Sequence, residues 1–335
     1  MASFSFLSCP PVMVPEVPPA VALALQGLGV IFAAKLALSF FVYTWSNFIK
    51  PGMSLAKAKA NKDWAVVTGA TDGIGKAYAM ALAKKGLNVL IVSRTQEKLD
   101  AVCQEITDKH GVEVRTHQTD FTKLDDAALS SLTGVLTQLQ VGVLVNNVAV
   151  NIEMPTYFDD IDLAKVRDIT SCNTLGTALL THAVLPQMKS RKRGVIINLS
   201  SVGGALPSAM LQPYGATKAF VENFSEAIAE ETKKYGIVVQ CNVPYFVKTA
   251  MANRSRATMT VPEPRDFVSA SLSKLGNAVT ISPYWSHAIV LGAIKSLPHA
   301  FIVPYVHDMH IDIRKRSIRK KERQAAAAAS GKKSS

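Results

Sequence analysis

Three features of the sequence predict an α/β fold built on a doubly wound parallel sheet. Short, continuous apolar runs alternate with longer stretches whose apolar residues recur at helical spacing, the pattern of buried parallel strands joined by crossover helices. The first run, Trp64–Thr68, passes through a glycine-rich turn, Gly69-Ala-Thr-Asp-Gly73-Ile-Gly75, directly into an apolar helix. A later run, Gly194–Ser200, opens at Ser201 into a loop followed by a helix whose first turns carry Tyr214 and Lys218. Open sheets of this kind bind ligands where strands end in loops, and both special stretches lie at such ends.

The chain has 335 residues, nearly half of them hydrophobic, and a formal net charge of +12. From Arg314 onward nine Lys/Arg face Glu322 alone, so +8 of that charge sits at the carboxyl end. A basic tail of this kind suits an anionic membrane surface, and no nucleic-acid-binding motif accompanies it. Cys9, Cys103, Cys172 and Cys241 are scattered, with no C-x-x-C pair, which suggests a reducing compartment and neither a metal site nor a disulfide framework.

In chain order, residues 1–19 are proline-rich and carry no basic residue, unlike a signal peptide. Residues 20–46 are mostly apolar, interrupted by Gln26 and Lys35, and end in Phe40, Phe41, Tyr43 and Trp45. That length and aromatic end fit a membrane-spanning or membrane-anchor helix. Lys35 opposes this, since a lysine at the bilayer centre costs about 2.5–3.5 kcal/mol. Residues 47–62 read as a polar linker, and Lys50, Lys57, Lys59 and Lys62 place the following domain on the cytosolic side.

The catalytic domain is expected over 63–276. After Trp64–Thr68, glycines let the backbone approach a dinucleotide pyrophosphate at a helix amino terminus, which nominates Gly69, Thr71, Asp72, Gly73, Ile74 and Gly75 for cofactor contact. The next strand, Asn88–Val92, leads to Arg94 where an acid would bind the ribose hydroxyls of NAD. A guanidinium there suits a ribose phosphate and predicts NADPH. A helix from Thr95 to about Lys109 and a strand near Val112–His117 follow, with Asp120 bordering the adenine pocket. A further helix runs to about Gln140, and the fourth strand is Val141–Asn147, with Asn146 bracing backbone beside the cofactor. A long helix over about Asp160–Lys189 contains Asn173, a candidate for holding a water that relays protons to Lys218. Gly194–Ser200, the helix with Tyr214 and Lys218, and a sixth strand at Gly236–Val243 complete the sheet. After it, the Val247 backbone and Thr249 approach the carboxamide and pyrophosphate, and Arg254, Arg256 and Arg265 sit in an expected substrate lid.

The chemistry explains Ser201, Tyr214 and Lys218. Tyrosine has an ordinary pKa of about 10 and is a poor acid near neutrality. A lysine one helical turn away is expected to lower that pKa, and the serine hydroxyl to hold the substrate oxygen within reach of the phenol proton. Residues 277–306 are apolar but broken by Pro283, Pro298 and Pro304, which favours a membrane-associated segment over core packing. Residues 307–335 form the basic tail.

The set Thr68-Gly-x-x-x-Gly-x-Gly75, Asn146-Asn-x-Ala149, Asn173, Ser201, Tyr214 and Lys218 resembles the short-chain dehydrogenase/reductase family over about residues 62–260. The resemblance implies a Rossmann-like domain with a catalytic tetrad at Asn173, Ser201, Tyr214 and Lys218. Two positions depart from the usual pattern: Asn-Asn-Val-Ala replaces Asn-Asn-Ala-Gly, and Pro244-Tyr245-Phe246-Val247 replaces Pro-Gly. Together with Pro283-Tyr-Trp-Ser-His287 and the amino-terminal segment, they are similar to the branch of microsomal very-long-chain 3-oxoacyl-CoA reductases. That branch implies NADPH-dependent reduction of a long-chain acyl-CoA in fatty-acid elongation, beside other elongation enzymes in the endoplasmic reticulum membrane. Lys332-Lys333-Ser-Ser is similar to a dilysine retrieval signal. A steroid or retinoid substrate is the alternative, a non-catalytic membrane scaffold a remoter one, and oligomerisation is left open.

Overall fold

A computed structural model describes residues 18–57, 63–252, 254 and 256–329. It separates into two units, one ending at Trp45 and the other beginning at Ser46. The first is α1 (Pro19–Thr44), an apolar helix with no buried residue. The continuous helical stretch Pro19–Ile49 is long and apolar enough to cross a membrane. Lys59, Lys62, most of the Pro-rich start and the dilysine end lie outside the described residues.

In the second unit β1 (Trp64–Thr68) is buried at every position, as is β4 (Val141–Asn146), and the two pair in parallel. β2 (Asn88–Ser93) flanks β1 on its other side, and β3 (Val114–Gln118) pairs with β2 at that edge. β5 (Gly194–Leu199), β6 (Ile237–Asn242) and the two-residue β7 (Thr280–Ile281) extend the sheet from β4. The order is therefore 3-2-1-4-5-6-7, all parallel, as the alternating pattern predicts. Residue alternation sends the two halves of each strand to different cores. Val67, Ile91 and Val145 pack with Tyr78, Leu82, Leu99 and Phe267 from α2 (Gly73–Lys84), α3 (Gln96–His110) and α8 (Pro264–Ser273). Val66, Leu90 and Leu144 pack with Leu132, Leu180 and Val184 from α4 (Asp126–Thr137) and α6 (Gly176–Arg191).

Three regions differ from expectation. The long helix expected over 160–189 is α5 (Leu163–Thr170) and α6 joined by a π-turn at Ser171–Leu175, and the extra residue of that turn turns Asn173 inward. The expected linker is docked: Gly52 N–H donates to the Ser273 carbonyl at 3.0 Å and Met53 N–H to that of Leu275 at 2.8 Å. The domain also continues past 276, because β7 and α9 (Trp285–Ser296) bury Ile281, His287, Ala288 and Leu291. Only part of the 277–306 stretch stays apolar and exposed, at Trp285, Ile289, Leu297, Phe301 and Tyr305. Residues 307–329 of the expected tail are helical, forming most of α10 (His299–Ala329).

Candidate active site

The glycine turn between β1 and α2 has left-handed backbone at Gly69 (φ +63°) and Gly73 (φ +54°). A Cβ on Gly75 would run into the Gly69 carbonyl and the Asn147 amide. Asp72 caps α2, accepting from Gly73 N–H at 2.7 Å, and the remaining first-turn amides have no partner within the helix. The turn is held from behind by Thr68 and Asn147. Thr68 Oγ1 accepts from the N–H groups of Asn147 and Val148, both at 3.0 Å, and the Asn147 amide donates to the Thr68 carbonyl at 2.9 Å. Asn146, expected in that bracing position, faces the opposite side. Its amide donates to Thr181 Oγ1 at 3.1 Å and Asn198 Oδ1 at 2.9 Å in the core, because neighbouring strand residues point to opposite faces.

Ser201 follows β5, and its Oγ accepts from Gly203 N–H at 3.2 Å, so the serine caps the short turn that carries it. The Tyr214 ring and Ser201 Oγ both flank Gly203, and both side chains line one cavity. Both Tyr214 and Lys218 lie on α7 (Gln212–Thr232), which begins with Gln212-Pro213; a proline in the first turn needs no donor. Lys218 Nζ stands 5.7 Å from the centroid of the Tyr214 ring and donates to the Leu199 carbonyl at 2.7 Å. Burial pushes Lys218 down to about 8. Burial likewise pushes the Tyr214 phenol up, with Ser201 pulling the other way. The direction is opposite to the lowering expected from Lys218, because burial opposes a phenolate. The result is a neutral phenol, the form that can give up a proton.

Asn173 is fully engaged. Its Oδ1 accepts from Val150 N–H at 2.8 Å, and its amide donates to the Val150 carbonyl and Thr217 Oγ1, both at 3.0 Å. Both amide hydrogens are therefore used to fix the chain after β4 against α7, and a relay water would have to use the Asn173 main-chain carbonyl instead.

One cavity of about 920 Å3 joins these parts, lined by Gly69, Asp72, Gly73 and Ile74 as well as by Ser201, Tyr214 and Lys218. Val247 and Thr249 line it too, as expected. Thr71, Arg94, Asp120 and Gly75 lie outside its lining but cluster around the ends of β1–β3. Thr71 Oγ1 is 3.0 Å from Ser93 Oγ, the Arg94 carbonyl accepts from Gln118, and Asp120 caps the turn at Phe121–Lys123. Of the three lid arginines, Arg254 lines the cavity, its guanidinium 4.4 Å from the centroid of the Phe246 ring. Arg256 is exposed, and the Arg265 side chain is 85% exposed beside Asp266, both away from the cavity.

His287 is a structural residue that the sequence names only as part of a motif, without a role. Its Nδ1 accepts from Tyr245 N–H at 3.3 Å, which leaves Nε2–H to donate to the Thr260 carbonyl at 3.1 Å. This neutral imidazole straps the loop after β6 to the lid, and burial holds its pKa down. The other omission is α10, whose Arg316, Ser317 and Lys320 reach the cavity.

The residues around the glycine turn fit a phosphorylated dinucleotide. A cradle that any Cβ at Gly75 would fill meets a helix amino terminus, with a guanidinium at the end of β2. The family model described as short chain dehydrogenase matches residues 63–260. A very-long-chain 3-oxoacyl-CoA reductase of Coprinopsis cinerea is 42% identical over 315 residues, covering 90% of this chain and 93% of that protein. One of Aspergillus oryzae is 38% identical over 313 residues, 90% of each chain. Among solved structures, a short-chain dehydrogenase from Sphingobium yanoikuyae in complex with NADPH aligns with a TM-score of 0.63 and 28% identity, covering 70% of this chain and 92% of that one.

Proposed function

The chain belongs to the short-chain dehydrogenase/reductase family, and from that premise we propose that it reduces very-long-chain 3-oxoacyl-CoA thioesters to 3-hydroxyacyl-CoA with NADPH. Bound NADPH supplies the hydride that adds to the 3-oxo carbon. Ser201 Oγ holds the ketone oxygen beside the Tyr214 hydroxyl. Tyr214 gives that oxygen its proton, and the buried Lys218 ammonium stabilises the phenolate left behind. Asn173 positions the Val150 backbone and, through Thr217, the first turns of α7. Gly69, Gly73, Gly75 and the start of α2 hold the pyrophosphate, Arg94 the ribose phosphate, and Val247 and Thr249 the nicotinamide end.

The observation that carries this reading is geometric: Ser201, Tyr214 and Lys218 line the same cavity as the glycine turn, with Lys218 Nζ 5.7 Å from the Tyr214 ring centroid. The test is NADPH oxidation by the purified full chain in detergent with a long-chain 3-oxoacyl-CoA, and identification of the 3-hydroxy product. Turnover of steroid or retinoid ketones instead would reassign the substrate.

We further propose that α1 anchors the enzyme in the endoplasmic reticulum membrane with the catalytic domain cytosolic, where elongation partners supply its substrate. The apolar helix and the lysines that follow it support this placement. Exposed Ile289, Leu297, Phe301 and Tyr305 support an interfacial contact of the 277–306 stretch. Protease protection in microsomes tests the orientation.

A further inference from the structure

α10 presents one stripe to the cavity, and the stripe changes character along its length. Ile302, Val306, Met309 and Ile313 recur at three- and four-residue spacing and are apolar; Arg316 and Lys320 continue the same spacing and are cationic. At about 1.5 Å per residue the stripe runs roughly 27 Å, so the one cavity has an oily stretch and a basic stretch.

The helix's basic residues also fall into two groups. Arg314 donates to the Pro155 carbonyl at 3.2 Å and pairs with Asp160 at 3.3 Å, and Lys321 pairs with Glu153 at 2.8 Å. Those two hold α10 to the chain after β4, and Lys321 occupies Glu153, itself a cavity-lining acid. Arg316 and Lys320 take part in none of the ion pairs found among the described residues, nor does Arg254, which reaches the same cavity. The cofactor's phosphates have their own partners in the first turn of α2 and in Arg94. An unpaired cationic group elsewhere in the cavity therefore fits a second anion, joined to an apolar chain.

We propose that Arg316 and Lys320 of α10, with Arg254, hold the phosphates of the coenzyme A portion of the substrate. This rests on the acyl-CoA reading above and assigns its recognition to the carboxyl-terminal helix rather than to Arg256 and Arg265. Charge-assisted bonds to phosphate are the strongest hydrogen bonds available to these side chains, and arginine engages phosphate in bidentate fashion.

The test uses the full chain in detergent, as wild type and as Arg316→Glu/Lys320→Glu. Each is assayed with one 3-oxoacyl chain carried on coenzyme A and on pantetheine, which lacks the nucleotide phosphates. The ratio of kcat/KM for the coenzyme A thioester over the pantetheine thioester is expected to fall at least about tenfold in the variant. Adenosine 3′,5′-bisphosphate should compete with the coenzyme A thioester in the wild type and weakly in the variant. The milder Arg316→Gln/Lys320→Gln gives a smaller fall in the ratio and covers the case in which charge reversal prevents folding. An unchanged ratio in a wild type that reduces the coenzyme A thioester overturns this inference and leaves the reductase reading standing. A wild type inert with both thioesters overturns the reading and the inference together. Loss of binding to phosphatidylserine vesicles, with the ratio unchanged, would assign these residues to lipid headgroups and also overturn it.

Discussion

The nucleotide side of the cavity comes mainly from one turn, Gly69–Gly75, braced by Thr68 and Asn147, with Val247 and Thr249 joining it from the loop after β6. The substrate side is assembled from segments scattered between Asn151 and Lys320. On the first side, position in the sequence nearly is position in space, since strand, turn and helix follow without interruption. On the second, neighbours such as Tyr245 and His287, or Ala209 and His310, are joined only by the completed fold. A local motif keeps its geometry wherever the chain places it, whereas a wall built from distant pieces can be re-lined to take a different substrate.

Mutations on the two sides should therefore differ in what they disturb. At the junction, Tyr214→Phe is expected to lower kcat by about 10²–10⁴-fold while NADPH still binds, measured by turnover and by cofactor fluorescence. On the nucleotide side, Gly75→Ala should weaken NADPH binding by about a hundredfold, because the added Cβ displaces backbone at the pyrophosphate. Arg94→Glu should shift the NADPH over NADH preference by about ten- to thirtyfold and leave the acyl-CoA KM alone, in steady-state kinetics with both cofactors.

The pH profile sharpens the junction. Lys218 is pushed down to about 8, so its ammonium is present below that pH and lost above it. Tyr214 is raised and stays protonated over the same range. The kcat/KM for reduction should be flat below about pH 8 and fall by about tenfold per pH unit above it. The smallest effect is expected from Arg256→Glu, less than about twofold in acyl-CoA KM, as an exposed charge outside the cavity. A large effect there would return acyl-CoA recognition to the lid.

What the sequence made legible follows the same division. The doubly wound parallel sheet, the glycine turn and the Ser201–Tyr214–Lys218 grouping were all readable from alternation and spacing. Asn146 and Asn147 were exchanged, because a one-residue ambiguity at a strand end reverses which face a side chain takes. The phenol pKa was misjudged since burial is a tertiary property, and the same holds for Asn173, whose amide is used up by a backbone stretch that sequence spacing does not reveal. β7 has two residues, too few for any periodic signal, and the prolines around it resembled interruptions of a membrane segment. Arg316 and Lys320 sat in a charge run that read as a tail for an anionic membrane surface, because nothing local distinguishes a cation facing a cavity from one facing a lipid headgroup.

α10 is fastened unevenly. Its first turns are sealed by Ile302 and Val306 against Leu206, while beyond His310 the observed attachments are the contacts of Arg314 and Lys321. Ion pairs this exposed contribute about 0–1 kcal/mol each and weaken as salt screens them. The distal half of the helix is therefore the less firmly seated part, and ionic strength tunes how tightly it is held.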